Sequence, residues 1–148
     1  MRQIAYFSTA AEPQTHECVH PILISSRVNN RRDSITGLLV AGGNRYLQVI
    51  EGPKRAVEAL YGTIRRDHRH LAVTTLIDRP ILERMFADWS MAYSREPALG
   101  HFSSFPETLR YLTQQVGDPA LRRQIEMFAR TFVAVPGDRT VTVWDKVA

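Results

Sequence analysis

The segment from Ile35 to Gly52, ITGLLVAGGNRYLQVIEG, constrains this chain more than any other. Two β-prone runs flank Gly42-Gly43-Asn44, residue types that tolerate the positive φ angles of a tight turn, so the spacing predicts a hairpin. Side chains alternate along a strand. Tyr46, Gln48 and Ile50 therefore share one face of the second strand, and Leu47, Val49 and Glu51 the other. Gln48 sits amid apolar surface. An unpaired buried amide costs about 1–3 kcal/mol, so either a neighbouring protein group or a bound ligand has to meet it.

The rest of the chain organises around this hairpin. Residues 2–9 alternate as a first strand, with Ile4, Tyr6 and Ser8 on one side and Gln3, Ala5 and Phe7 on the other. After a loop containing Pro13, Val19, Ile22, Leu23 and Ser26 to Arg27 recur at helical spacing. Pro21 belongs either in the first turn of a helix beginning near His20 or at a kink. That helix runs out at Asn29-Asn30-Arg31. Beyond the hairpin, Gly52-Pro53 reads as an N-cap and first helical position, and Ala56, Val57, Leu60, Tyr61 and Ile64 form one apolar stripe as far as Asp67. Leu71 to Ile77 reads as a fourth strand. Phe86 to Tyr93 reads as a fifth, with Trp89, Met91 and Tyr93 on one face. The order β-α-β-β-α-β-β predicts an α+β fold of ferredoxin-like type, in which right-handed crossovers put both helices on one face of the sheet and a ligand cleft between them.

Residues 1–95 form that domain, and residues 96–148 read as a C-terminal helical extension and tail. Two helices are expected there, over Pro106 to Gln115 and Asp118 to Phe132. Gly117 ends the first, and Asp118-Pro119 caps and opens the second. Leu121, Ile125, Phe128, Ala129 and Phe132 make a stripe that belongs either on the bare face of the sheet or in a dimer or partner interface. Thr140 to Trp144 reads as an edge strand or a tail.

At 148 residues, 44% hydrophobic and 23% charged, the chain has the make-up of an ordinary soluble domain. It holds no apolar run near the roughly 20 residues of a membrane span and no signal-peptide layout, so a cytoplasmic protein is expected. Cys18, the single cysteine, excludes an intramolecular disulfide and a cysteine-based zinc site. His16 and His20 lack a third metal ligand. The net charge of +4 is carried almost wholly by arginine. Two clusters, Arg27, Arg31 and Arg32, then Arg65, Arg66, His68, Arg69 and His70, fit a solvated surface, a phosphate-bearing ligand or nucleic acid. No aromatic-studded RNA signature or helix-turn-helix supports the last. No nucleophile–base pair is visible, and no enzyme activity is expected.

Tyr6, Gln48 and Asn30 converge on the face that the two helices would cover. A tyrosine donates electrons and protons, and a primary amide presents both a donor and an acceptor. Asn30 could pair bidentately with an imide edge such as that of a flavin. In order along the chain stand Ile4-Ala-Tyr6-Phe-Ser8, Ser26-Arg-Val-Asn29-Asn30, Ile35-Thr-Gly-Leu-Leu39, Leu47-Gln48-Val-Ile-Glu-Gly52, Asp67-His-Arg69-His70 and Trp89-Ser-Met91. With these six motifs the chain resembles the BLUF domain, the blue-light sensor that uses FAD, over about residues 2–95.

The resemblance implies a flavin cofactor, FAD, with FMN or riboflavin able to substitute. It implies that Tyr6 reduces the excited flavin and that Gln48 lies between Tyr6 and the ring and rearranges its hydrogen bonds. Asn30 would bind the carbonyl and ring-nitrogen edge. Asn29, Asp67, Arg69 and His70 would line the isoalloxazine and ribityl region, and Trp89 and Met91 would pass the signal outward. A sensor of this short kind is expected to signal through homo-oligomer contacts or a separate protein partner. Competing readings are a ferredoxin-like enzyme of the acylphosphatase type, whose loop the chain lacks, and a non-photoactive module binding a ligand or nucleic acid. The flavin sensor that bonds a cysteine is set aside, because Cys18 lies in the wrong context.

Overall fold

The computed structural model describes residues 1–11, 28–42, 45–87, 92–93, 114, 116–128, 130–131 and 142–145. Its elements are β1 (Arg2–Ala10), β2 (Thr36–Gly42), β3 (Arg45–Gly52), α1 (Lys54–Arg66), β4 (His70–Pro80), β5 (Ala92–Tyr93), α2 (Pro119–Phe128) and β6 (Thr142–Asp145). Residues 28–32 are also helical, the described end of the expected first helix. The rest of that helix, the expected helix over Pro106 to Gln115 apart from helical Gln114, and the stretch 88–91 lie outside the described residues. So does the cleft expected between the first two helices.

The strands form one sheet in the order β4-β1-β3-β2-β6-β5. Its first four members have the ferredoxin-like arrangement expected from the sequence, with every neighbouring pair antiparallel. The hairpin closes with Gly42 opposite Arg45, as the glycine-rich turn predicts. β1 lies between β3 and β4. Its ladder to β4 shifts register between Ala5 and Tyr6 and again between Phe7 and Thr9, a bulge pattern that increases local twist.

Alternation sorts the side chains into two cores. On one face Ile4, Tyr6, Ile35 and Ile50 pack against Val57 and Tyr61 of α1. On the other, Ala5, Leu38, Leu47 and Val49 pack with Phe86, Val116 and the Leu121, Ile125 and Phe128 stripe of α2. The α2 stripe thus occupies the sheet face that α1 leaves uncovered, and Phe128 meets Phe7 edge-on at 5.8 Å between ring centroids. Of the residues expected in that stripe, Ala129 and Phe132 lie outside the described side chains.

Helix ends follow the sequence closely. Asp118 caps α2 as expected: its Oδ1 accepts the Leu121 N–H at 2.8 Å. At α1 the cap is Pro53, one position later than expected, without a side-chain bond. Arg65 and Arg66 occupy the last turn of α1, where positive charge suits the helix dipole.

Two expectations need correction at the far edge of the sheet. The expected fifth strand does not begin at Phe86, whose N–H is held by the Glu51 carboxylate and not by a ladder, and its described strand residues are Ala92–Tyr93. Of the expected 140–144 segment, the described residues from Thr142 on form a strand, but an inner one and not the edge. β6 runs between β2 and β5, pairing Val40 with Val143 and Tyr93 with Trp144. Among the described residues no helix is long and apolar enough to cross a membrane.

Gly52 closes β3 where the Ser34 carbonyl passes against it: an added Cβ would lie 2.7 Å from that backbone oxygen. Backbone cannot yield as a flexible side chain can, so overpacking of about 1–3 kcal/mol is expected for Gly52→Ala. Thermal denaturation should show a clearly lowered Tm; an unchanged Tm would contradict this packing.

Candidate functional site

The β1–β3 register places Tyr6 directly opposite Gln48. Both side chains project to the α1 face, and the Tyr6 hydroxyl donates to Gln48 Oε1. Tyr6 is fully buried. Burial, with smaller contributions from the Tyr61 and Tyr46 phenols, pushes its own phenol well above the usual tyrosine range. Tyr6 is therefore a neutral hydrogen-bond donor across the accessible pH range. A rotation of the Gln48 amide would replace acceptor by donor at the same point in space.

A second tyrosine braces the first. The Tyr61 ring from α1 lies 5.3 Å from that of Tyr6, tilted by 45°. The Tyr61 hydroxyl and Thr75 Oγ1 on β4 are 2.7 Å apart. Tyr61 was legible in the sequence only as part of an apolar stripe, because a stripe gives no sign of which hydroxyl finds a partner.

Farther along the same face Ser8 pairs with Tyr46, and Ser8 Oγ lies 3.1 Å from His70 Nδ1. The Tyr46 and His70 rings are 5.9 Å apart, and burial pushes the Tyr46 phenol up to about 12. Burial also lowers the His70 pKa, Arg69 adds to the shift and Asp67 opposes it. At neutral pH the imidazole is uncharged, so either ring tautomer can complete the bond with Ser8.

The remaining expected residues separate into two groups. Asn30 is only 4% exposed. Its backbone carbonyl accepts the Ile35 N–H, and no described residue meets its side-chain amide. Asn29 beside it is exposed. Asp67 and Arg69 engage each other at the end of α1: the Arg69 backbone N–H donates to Asp67 Oδ1 at 2.9 Å and the guanidinium Nη2 to Oδ2 at 2.5 Å. That guanidinium holds the Asp67 carboxyl well below the usual carboxylate range. Thr63, Arg66 and His68 join this pair around an open cleft of about 560 Å³. Trp89 and Met91 lie outside the described residues. The structure thus brings Tyr6 and Gln48 together, sets His70 on the same face, and leaves the Asn30 amide without a partner among the described residues.

A depressed histidine pKa has a definite sign in stability. The unfolded chain takes up the proton first, so stability is full above pH 6.5 and falls as pH drops through the lower folded value. Denaturant midpoints should therefore decline from pH 7 towards pH 5, ahead of carboxylate titration. His70→Gln should flatten that slope, and an equal slope in the variant would remove His70 as its source.

Comparisons with known proteins bear on this arrangement. The family model for BLUF, described as sensors of blue light using FAD, matches residues 1–92. Photoactivated adenylate cyclase subunit beta of Euglena gracilis is 33% identical over 112 residues, 75% of this chain and 13% of that protein. The alpha subunit of the same organism is 32% identical over 112 residues, 75% of this chain and 11% of that protein. This chain thus spans only about an eighth of the curated relatives it matches. Among solved structures, BlrB, a BLUF protein in its dark state, is 29% identical with a TM-score of 0.63, covering 88% of this chain and 96% of that one. A bacterial light-regulated adenylyl cyclase is 26% identical with a TM-score of 0.62, covering 88% of this chain and 36% of that one.

Proposed function

Because the chain belongs to the BLUF family, it is a blue-light sensor whose cofactor is FAD, and we propose that its switch is the Tyr6–Gln48 hydrogen bond. The observation that carries this reading is the direct donation from a fully buried phenol to the amide oxygen opposite it. The residues fit a flavin. Asn30 offers a buried donor and acceptor, without a partner among the described residues, of the kind an imide edge requires. Tyr6 and Gln48 supply a redox-active donor and a reversible amide on one face. Asn29, Asp67, Arg69 and His70 serve the ring and ribityl region, with the Asp67–Arg69 pair holding the turn after α1 rigid.

Bound FAD supplies a light-absorbing group that becomes a strong oxidant when excited. Tyr6 would be the residue to give that group an electron and then its phenolic proton, and to take both back. Loss of the proton would take the donor away from Gln48 Oε1, so the amide would turn to satisfy its two ends differently. With Tyr6 restored, Gln48 would present an altered pattern of donors and acceptors. The tight fit of Tyr6 against Tyr61 keeps the phenol in place, so the rearrangement falls on the amide. Trp89 and Met91 carry the change outward. The chain turns over no substrate; it acts in the cytoplasm by changing contacts between copies of itself or with a separate protein partner.

Absorption spectra of the FAD-loaded protein before and just after blue light test the switch. The flavin bands should shift slightly to the red and return thermally. Tyr6→Phe and Gln48→Leu should keep the yellow colour and lose the shift; a full shift in either variant would sink the assignment. Asn30→Ala should weaken flavin binding about tenfold, the equivalent of about 1.4 kcal/mol, as read by flavin fluorescence titration. Unchanged affinity would remove Asn30 from the site.

A further inference from the structure

The opposite face of the same two strands buries a second set of polar side chains that the light-sensing reading leaves unused. Glu51 is 0% exposed and Gln3 1%. They face each other in the β1–β3 ladder, three positions along from Gln48 and Tyr6 and therefore on the α2 side. Gln3 Nε2 donates to Glu51 Oε2 at 3.0 Å, and the Phe86 backbone N–H donates to Glu51 Oε1 at 2.5 Å. Gln3 Oε1 accepts from Arg79 Nε at 3.0 Å and Nη2 at 2.8 Å. The Arg79 Nη1 lies 2.7 Å from Asp118 Oδ2, and Asp118 Oδ1 caps α2 through the Leu121 N–H.

These bonds form one unbroken series from the backbone of Phe86 to the first turn of α2. Its polarity is fixed. A guanidinium only donates, so the Gln3 oxygen must face Arg79 and the Gln3 amine must face Glu51. No member can rotate alone without leaving a buried polar group unmet. Displacing Phe86 would therefore oblige Glu51, Gln3 and Arg79 to move with it, and Arg79 is the group that shares Asp118 with the helix cap.

We infer that Glu51 is a positioning residue of the light response, coupling the Phe86 backbone to the N-terminal turn of α2. The inference rests on the reading that light shifts the segment holding Trp89 and Met91. A purely structural tie would stabilise dark and lit protein alike. A coupling element instead makes the first turn of α2 looser in the lit state.

Hydrogen exchange of the full, FAD-loaded chain, compared in the dark and under blue light, separates these roles. In the wild type the amides of residues 120–125 should exchange about threefold or more faster in the light. Glu51→Gln should keep the red shift of the flavin bands and bring that light-to-dark ratio to about one, because the new amide offers one acceptor where the carboxylate offers two. If Glu51→Gln fails to fold, Asp118→Asn breaks only the Arg79 link and retains a capping side chain; it should likewise remove the ratio. A wild-type ratio persisting in either folded variant overturns the coupling. So does a wild-type red shift with no change at α2. A wild type without the red shift overturns the light-sensing switch itself, and the coupling with it.

Discussion

The pairing of β1 with β3 governs the arrangement on both sides of the sheet. Eight consecutive residue pairs, Arg2 with Gly52 through Thr9 with Arg45, run without a break. This register alone sets Tyr6 against Gln48 on one face and Gln3 against Glu51 on the other. A slip by one residue would turn one strand's set over, sending Tyr6 towards α2 and bringing Ala5 or Phe7 opposite the amide. The bulges fall on the other edge of β1, and it is β4 that carries the extra residues. The functional pairing stays regular while the irregularity is taken up by the neighbour.

The two faces handle buried polarity differently. Beneath α1 the groups are neutral at pH 7: two phenols raised by burial, a primary amide, a hydroxyl and an imidazole lowered by burial. Such groups can exchange hydrogen-bond roles at low electrostatic cost. Beneath α2 the buried Gln3 and Glu51 are tied to the half-buried Arg79 and Asp118 by a series whose order is set by the guanidinium, which can only donate. One face is built to rearrange and the other to hold its geometry.

The hairpin, the first four strands, α1 and α2 were legible in the sequence because each carries a period of two or 3.6 that tertiary structure leaves intact. Alternation placed Tyr6 and Gln48 on the covered face, and the motifs around them singled them out. Glu51 did not. An acid in an alternating strand reads as a solvent-facing residue, and its burial depends on α2 arriving from a remote part of the chain. The partners Ser8–His70 and Tyr61–Thr75 were hidden for the same reason, since each joins separate elements. Phe86 opens a stretch with strand-like alternation, yet its N–H goes to Glu51. Alternation records which face a side chain takes, and says nothing of where the backbone finds its partner.

The position of β6 bears on the order in which the sheet forms. β2 and β3 are joined by a short turn, so that hairpin closes early. Val40 and Val143, by contrast, lie roughly a hundred residues apart in sequence, and so distant a contact forms late because of its loop-closure entropy. Until then β2 presents a row of bare amides and carbonyls, the kind of surface on which two folding chains pair by mistake. Since β5 pairs with β6 and not with β2, it cannot cover that row in its place. The four residues of β6 thus act as a late seal on the sheet's most exposed seam.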